Sequence, residues 1–589
     1  MSLTEIINSF PPVLIFLIGA LVMLFVPSRA RAVIMLVCSL LVLAALPFLQ
    51  DASLVQLGFL NFELVPFAVD RLSVAFAYVF CLISFFGGLY AFHLKDRGQQ
   101  IAAMVYAGGS LGAIFAGDLF SLFVFWEIML AGSAYLIWAR KTPEAAGAGM
   151  RYIIVHLAGG SFLLAGIIWH LVETGSLDFG LLEGAPSYLI LIGFLVNAAV
   201  PPLHAWLPDA YPQSTVTGSV FLSAFTTKVA VYALVRGFAG LELLVWAGAI
   251  MAVYGVIYAF LENDIRKILS HHIVSQVGFM VAAIGIGSAL SVNGAVAHAF
   301  TNILNKGLLF MGTGAILYAT GKSKLNELGG LLKQTPYVFV LYMIGAVSIS
   351  GFPLFCGFVS KGMVTYSAET SHYIPAFIML NLASVGTFLS VGLKLPYYTW
   401  FGKKSQTGIT KPVPAGMYTG MALTALSCVI FGVFPGLLGN LLPYASSYQP
   451  YTLIHFWETL SIVLFSGLMF WVLIDSIKPK PGITLDFDWF YRRPAPLVYR
   501  IFVKFPSDVF SLAARLASSS VSKVAQIAAN PVGFFFWHYK NTVSKIKGEP
   551  SPEMEPAVYN PHRYRNSLGI MVLMVMFGFV FVAVITWLV

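Results

Sequence analysis

Three ionisable residues lie in the middle of long apolar stretches of this sequence: Glu127, Lys228 and Lys306. A charge at the centre of a lipid bilayer costs at least about 2.5–3.5 kcal/mol, so such residues usually face the interior of a helix bundle and mark an ion path. A nearby carboxylate also changes the proton affinity of a buried lysine. The three residues therefore predict proton or cation movement, and a structural ion pair is the alternative.

Two apolar stretches are interrupted by helix breakers, at the Pro201–Pro202 pair and at the Gly-Phe-Pro sequence of residues 351–353. Proline removes a backbone donor and obstructs the preceding turn of a helix. Interrupted helices at corresponding places in two halves of a chain are typical of inverted-repeat transporters. Lys361 follows the second interruption directly and is a fourth candidate for the ion path.

The histidines have two interpretations each. His298 precedes Lys306 by about two helical turns, so both can point along one helix face, and imidazole titrates near neutral pH. His298 and His156 are therefore either proton relays or buried structural hydrogen-bond donors. His271 and His272 are expected to lie in a solvated loop.

The four cysteines predict no redox or metal chemistry. Cys38, Cys81, Cys356 and Cys428 are far apart, without a CxxC pair that could hold zinc or an iron–sulfur cluster. All four are expected to be small apolar side chains. We therefore expect no cofactor, no metal and no catalytic residue in this chain.

The elements that position these residues follow from the composition. The 589 residues are 58% hydrophobic and 10% charged, with a mean hydropathy of +0.84. This excludes a soluble, disordered, coiled-coil or disulfide-stapled secreted protein and indicates an integral membrane protein. Lipid forces each backbone polar group to find a partner within its segment, so helices are expected. Residues 1–10 carry no Lys or Arg, so a cleaved signal peptide is not expected.

A bilayer core of about 30 Å needs roughly 20 helical residues. The apolar runs predict sixteen spans, near residues 11–27, 33–49, 71–93, 102–117, 119–138, 152–172, 185–200, 216–237, 241–261, 273–289, 294–318, 336–365, 374–400, 414–442, 457–475 and 567–588. Arg71, Arg236 and Lys394 lie near span ends and are expected to reach the interface.

The loops between these spans differ in charge. Odd-numbered loops carry Arg29, Arg31, Lys95, Arg97, Arg140, Lys141, Arg151, Arg266, Lys267, Lys322, Lys324, Lys333, Lys403, Lys404 and Lys411. Even-numbered loops carry Asp51, Glu63, Glu173, Asp178, Glu183 and Glu369. The positive-inside rule places the odd loops, here called the basic side, in the cytoplasm and both termini outside. A prokaryotic cytoplasmic membrane is the expected location.

Residues 477–566 form a basic segment on the same side, followed by a terminal anchoring span. Ser507 and Asp508 are predicted to cap an amphipathic helix. The pair Asn530–Pro531 is predicted to interrupt it, and residues 534–537 to dip into the interface. Attraction to anionic lipid is one role for this arm. Nucleic-acid binding is not expected, because the charge sits beside membrane spans.

Six motifs in order resemble the antiporter-like proton-translocating subunits shared by respiratory complex I, membrane-bound hydrogenases and Mrp cation/proton antiporters, with the D-type Mrp subunit as the most similar. The motifs are DLFSLFVFWEIMLAGSAYLI around Glu127, PPLHAWLPDAY around His204 and Asp209, TTKVAVYALVRGF around Lys228, ENDIRKILSHHIVSQVGFM around Asp264, HAFTNILNKGLLFMGTGAI around Lys306, and SGFPLFCGFVSK ending at Lys361.

The resemblance implies an all-α polytopic fold with a fourteen-helix core, two inverted five-helix repeats with broken helices, and a central hydrophilic axis for protons. Glu127, Lys228, Lys306 and Lys361 match charged residues of the family axis, with His298 upstream of Lys306. The resemblance also implies a division of the chain into helices 1–3 (1–101), two repeat halves (102–237 and 238–400), peripheral core helices (401–476), the arm (477–566) and the anchor (567–589). The arm then resembles a lateral helix that braces neighbouring subunits.

The sequence departs from the family pattern at two positions. Asn197 stands where the family usually has a lysine on the broken seventh helix, which puts the glutamate–lysine switch of the first half in doubt. Lys228 is a substitute partner for Glu127 from the next helix. Asn302 stands where the family often has histidine, and asparagine holds water but carries no proton.

These observations predict a proton-translocating subunit, with Na⁺ or K⁺ as further candidate ions, that works with other hydrophobic subunits and membrane lipids. One alternative is a subunit that itself binds quinone or haem, which the missing metal motifs disfavour. The other is a scaffold or weakened-channel subunit of a redox-driven assembly like complex I or a hydrogenase, motivated by Asn197 and Asn302. Whether the complex is an oxidoreductase or an antiporter is left open by this chain.

Overall fold

The computed structural model describes residues 11–49, 54–59, 62–402, 408–475, 478–479, 486–553 and 568–588. Asp51, Lys403 and Lys404 lie outside these ranges, so their loop assignments stay predictions. The chain divides into two compact units, Met1–Asp488 and Trp489–Val589. In the described part, helices occupy all sixteen predicted positions. Ten helices in the described part are long and apolar enough to cross a membrane, judged by length and composition alone.

The first unit is a polytopic bundle. Before the first break it contains α1 (Pro12–Val22), α2 (Ser28–Ala45), strands β1 (Leu54–Phe59) and β2 (Phe62–Ala68), α3 (Arg71–Tyr90), α4 (Arg97–Phe115), α5 (Leu119–Trp138) and α6 (Pro143–Thr174). The broken and following helices are α7a (Ala185–Ala198), α7b (Trp206–Ala210), α8a (Gly218–Ala224), α8b (Thr226–Phe238), α9 (Leu243–Leu261), α10 (Ile265–Ile286) and α11 (Ala289–Thr320). The remainder is α12a (Pro336–Ile349), α12b (Cys356–Thr370), α13 (Ile374–Thr387, continued by wider turns to Phe401), α14 (Ala415–Val433) and α15 (Leu453–Leu473).

The two repeat halves, α4–α8 and α9–α13, are built from the same local devices. Asp118 caps α5 by accepting the N–H of Ser121 at 2.7 Å, and Asp264 caps α10 by accepting the N–H of Arg266 at 2.8 Å. The backbone of Asp118 also pairs with the backbone of Asp178 in a single antiparallel β-bridge. Asp264 pairs with Lys324 in the same way, and Asp178 and Lys324 each lie just beyond the next helix. Those next helices, α6 and α11, both have 32 residues.

The predicted breaks are present in α7 and α12, the fourth helix of each half. After α7a the chain turns at Ala199, which has a left-handed φ of 57°. After α12a it turns at Gly351, with φ 83°, a conformation that glycine adopts without steric cost. Each half therefore presents helix ends inside the bundle.

A third interruption, in α8, is absent from the sequence prediction. The N–H of Thr226 donates to the hydroxyl of Tyr106 at 3.0 Å, and the carbonyl of Ser223 accepts the Lys228 ammonium at 2.8 Å. Both groups are thereby diverted from the ladder of a continuous helix. The Lys228 ammonium therefore binds a carbonyl on the other side of the interruption in its own helix.

Glycines allow α9 and α10 to pack backbone against backbone. A Cβ on Gly248 would lie 2.2 Å from the nitrogen of Ala282, and a Cβ on Gly278 would lie 2.6 Å from the nitrogen of Ala252. Small residues permit such close approach between membrane helices. This contact fixes α10, whose polar residues line the candidate site.

The second unit holds Ala495–Tyr499, Arg500–Lys504, α16 (Phe505–Ala529), α17 (Pro531–Lys547) and α18 (Leu568–Leu588). The predicted cap at Ser507 and Asp508 is wrong, because the turns of Arg500–Lys504 run directly into α16. The predicted interruption is confirmed: the Asn530 side chain caps α17 by accepting the N–H of Gly533 at 3.0 Å.

Candidate functional site

Lys228, Lys306 and Lys361 are all buried, the first two completely. Lys228 donates to the Ser223 carbonyl, and Lys306 donates to the Leu269 carbonyl at 3.4 Å. Lys361 Nζ has no hydrogen-bond partner in the described part of the chain. Lys306 interacts electrostatically with both other lysines. None of the three forms an ion pair with a described residue, so a structural ion pair does not account for them.

His298 connects the third and fourth helices of the second half. Its Nδ1 lies 3.1 Å from Ser360 Oγ, the residue next to Lys361. The Ser360 hydroxyl is also 2.7 Å from Thr301 Oγ1. His298 therefore contacts the broken helix beside Lys361, in addition to sharing α11 with Lys306.

The expectation that His271 and His272 lie in a solvated loop is wrong. Both are buried within α10, at 2% and 0% exposure. His272 Nε2 is 2.7 Å from Ser390 Oγ on the continuation of α13 and interacts electrostatically with Lys306. The two basic residues at the start of α10 masked the helix, and the N-cap residue Asp264 is the signal that marks its start.

Many buried polar atoms around these residues have no partner among the described protein groups. They include Asn197 Oδ1, Thr227 Oγ1, His272 Nδ1, Ser275 Oγ, Gln276 Oε1, His298 Nε2, both amide atoms of Asn302, and Lys361 Nζ. Buried polar groups without a protein partner are normally hydrogen-bonded to ordered water. Their concentration along α7, α8, α10, α11 and α12 fits a hydrated line through the bundle.

Glu127 is only partly buried and makes no hydrogen bond or ion pair with the described residues. Its Oε1 lies 2.4 Å from the place where a Cβ on Gly160 of α6 would be. Glycine at this position therefore provides the space for the carboxylate. Neither Lys228 nor Asn197 pairs with Glu127 in this structure.

Asp209 is held in an ion pair, and His204 contacts a carboxylate. Arg151 donates to both carboxylate oxygens of Asp209, at 2.6 and 3.0 Å. The completely buried His204 Nε2 lies 3.2 Å from Oδ1 of Asp486, which also accepts the hydroxyl of Tyr254. Burial raises the pKa of Asp486, but the His204 and Tyr254 contacts outweigh it and lower that pKa to about 2.

Arg266 is a buried residue that the sequence interpretation placed in a loop. Its guanidinium makes five hydrogen bonds, to the carbonyls of Tyr211, Pro212, Ser214 and Thr215 and to the Ser214 hydroxyl. The segment it holds joins α7b to α8a, so Arg266 links the two halves.

The prediction that Arg71, Arg236 and Lys394 reach the interface is wrong for Lys394. Arg71 is exposed, and Arg236 pairs with Asp70. Lys394 is buried at 3% exposure and donates to the carbonyl of Glu262 at 2.8 Å. All four cysteines are buried, which is the environment expected for small apolar side chains.

Two inverted halves with broken helices and a line of buried lysines define the class of ion-translocating membrane proteins. Residues 116–390 match the family described as NADH:quinone oxidoreductase/Mrp antiporter, TM. An uncharacterized protein of Methanocaldococcus jannaschii is 30% identical over 354 residues, 56% of this chain and 73% of that protein. The chain belongs to this family.

Two further likenesses extend beyond the matched family region. The D-type subunit of the Na(+)/H(+) antiporter of Alkalihalophilus pseudofirmus is 28% identical over 436 residues, 67% of this chain and 87% of that protein. A chain of the membrane-bound sulfane sulfur reductase, an archaeal respiratory membrane complex, superposes with a TM-score of 0.67 at 22% identity. That superposition covers 91% of this chain and 99% of the other, which shows a shared fold.

Proposed function

We propose that this chain is the proton-translocating subunit of a multisubunit membrane complex, with Na⁺ or K⁺ as the coupled ion if the complex is an antiporter. The observation that carries the proposal is the line of three buried lysines without carboxylate partners among the described residues, accompanied by His272, His298 and unpartnered polar atoms. It costs free energy to protonate several neighbouring buried lysines at once, because burial and mutual repulsion both disfavour the charged form. Such lysines are suited to passing a proton from one to the next.

The basic side is proposed to face the cytoplasm, on the loop charges alone. Glu127, Asn197, His204 and Asp209 belong to the proposed first half of the path by resemblance. The geometry supports Glu127 most directly, since its carboxylate has no partner among the described residues and has space against Gly160. The Arg151 pair favours a positioning role for Asp209.

The test is coupled ion transport by the native complex in vesicles. We expect Lys306→Ala and Glu127→Gln each to lower transport by at least about tenfold without preventing assembly, because a positioned proton-transfer group typically contributes roughly 10²–10⁴-fold. Lys322→Ala is the matched control, because Lys322 is half exposed and pairs with Glu327 at 3.2 Å. Full transport by either axis variant, with the control also active, would remove that residue from the path.

A scaffold without its own ion path is the second candidate function. Asn197 and Asn302 favour it, because neither side chain carries a proton. Transport by Lys306→Ala at the level of the native assembly would support the scaffold and contradict the proposal.

The driving force depends on partner subunits. Relatives of this chain include a subunit named for Na(+)/H(+) antiport and a subunit of a respiratory complex. Purification in mild detergent, with mass spectrometry of every subunit and an optical spectrum, separates the cases. Iron–sulfur or flavin absorption with a redox subunit means redox-driven transport, and a colourless set of hydrophobic subunits means secondary antiport.

A further inference from the structure

Two cavities lie beside the C-terminal part of α12b, from Lys361 onward. The lysine cavity, about 250 Å³, is lined by Lys361, Ser350, Asn381 and Ser384 among others. The acidic cavity, about 740 Å³, is lined by Tyr366, Glu369, Tyr448 and Gln449 among others. Gly362, Thr365, Phe377, His455 and Glu458 line both cavities. The two spaces therefore adjoin at these residues.

The imidazole of His455 is held in one orientation at this junction. Its Nδ1 is 2.9 Å from the carbonyl of Pro450, so Nδ1 carries the hydrogen in the neutral ring. The ring stacks on Phe358 with centroids 4.2 Å apart. Nε2 then holds the free lone pair, and it lies 2.5 Å from where a Cβ on Gly362 would be.

Glu458 follows His455 by three residues on α15, so the two side chains lie on the same face of the helix. Both line both cavities, and His455 and Glu458 interact electrostatically. On the other side, Lys361 Nζ has no hydrogen-bond partner within the described residues and lies 5.2 Å from the centroid of the Phe279 ring. An ammonium, an imidazole and a carboxylate thus all belong to residues that line connected space.

We propose that His455 and Glu458 pass protons between Lys361 and the membrane surface at which Glu369 lies. This inference rests on the proposed function and extends its path beyond the family-matched residues 116–390 to α15. An N–H bond of the Lys361 ammonium breaks and an Nε2–H bond forms on His455, with cavity water carrying the proton between them. The imidazolium then releases the Nε2 proton to the Glu458 carboxylate, while Nδ1–H stays on the Pro450 carbonyl.

The experiment uses the purified native complex in proteoliposomes, with a pH-sensitive dye reporting coupled proton movement. His455→Gln is expected to lower the rate at least about tenfold, because glutamine keeps polar contacts but does not carry a proton. His170→Gln is the matched control, a partly exposed histidine on α6. In His455→Ala, imidazole added on the side of Glu369 is expected to restore a measurable part of the rate, which a merely structural histidine would not allow.

Gly362→Ala tests the same junction without changing a titratable group. Its methyl group would lie 2.2 Å from Cε1 of His455, so the ring must move away from the helix. We expect a comparable loss of rate, and no additional loss when it is combined with His455→Gln.

The outcomes separate the proposed His455–Glu458 relay from the proposed proton-translocating function of the chain. If His455→Gln transports like the His170 control while Lys306→Ala is inactive, the proposed relay is overturned and the lysine axis stands. If Lys306→Ala is fully active as well, the proposed function fails, and this inference fails with it. Subunit stoichiometry of each variant complex, measured by native mass spectrometry, shows that loss of rate is not loss of assembly.

Discussion

Replacing Arg266 with lysine tests whether the joint between the two halves is held by a guanidinium rather than by a positive charge. The native side chain makes five hydrogen bonds to residues 211–215. A lysine ammonium has three donors, so at least two of these acceptors lose their partner. At roughly 1–2 kcal/mol for each buried acceptor, Arg266→Lys is expected to lower the free energy of unfolding by about 2–4 kcal/mol.

The measurement is reversible unfolding of the purified chain in mixed micelles, with increasing denaturing detergent. Arg29→Lys is the matched control, because Arg29 is exposed near the start of α2 and should change the free energy by less than about 0.5 kcal/mol. A loss for Arg266→Lys no larger than that of the control would refute the reasoning. It would mean that charge alone, or water, satisfies the 211–215 carbonyls.

Three further predictions concern other contacts. Because its pKa is lowered to about 2, Asp486 should stay ionised throughout pH 4–8, and its contact with His204 should weaken only as the pH falls toward that value. Amide hydrogen exchange near residue 486 should be faster in Asp486→Asn than in the native protein at every pH in this range, and an unchanged exchange rate would contradict the pairing. Gly278→Ala should lower the free energy of unfolding by about 1–3 kcal/mol, because the new methyl group would lie 2.6 Å from the backbone nitrogen of Ala252. If the variant and the native protein unfold at the same concentration of denaturing detergent, α9 and α10 can separate freely. Gly160→Ala should slow coupled transport by displacing the Glu127 carboxylate, and a native rate would show that this space is not required.

Hydropathy predicts the helices well because burial in lipid leaves the backbone little choice. It fails where a polar segment is buried by other helices. The stretch beginning at Asp264 contains Arg266, Lys267 and two histidines, so its mean hydropathy falls at the point where α10 enters the bundle. The interruption of α8 escapes sequence prediction for a related reason. Its cause is a tertiary contact, from Tyr106 to Thr226, and no breaker residue marks it.

The candidate site is predictable as a set of residues but not as a set of contacts. Long apolar runs isolate Lys228 and Lys306, so their burial can be foreseen. The partners cannot, because they are backbone carbonyls and hydroxyls brought from distant helices, such as the Leu269 carbonyl and the Ser360 hydroxyl. His455 lies near the start of the otherwise ordinary apolar helix α15, and only the two cavities that it lines distinguish it.

The two halves differ in charge at one pair of corresponding positions. α6 and α11 have the same length and follow capped helices of the same construction, and Gly160 and Lys306 lie at the same offset from their starts. Where the second half has the lysine ammonium, the first half has a glycine against which the Glu127 carboxylate lies. The first half therefore holds a carboxylate in addition to its own buried lysine, Lys228. The second half contributes Lys306 and Lys361 to the line of buried lysines, so a proton is held more favourably near the first half than near the second. Asn197 adds no charge to the first half, so this difference between the halves depends on Glu127 and these three buried lysines.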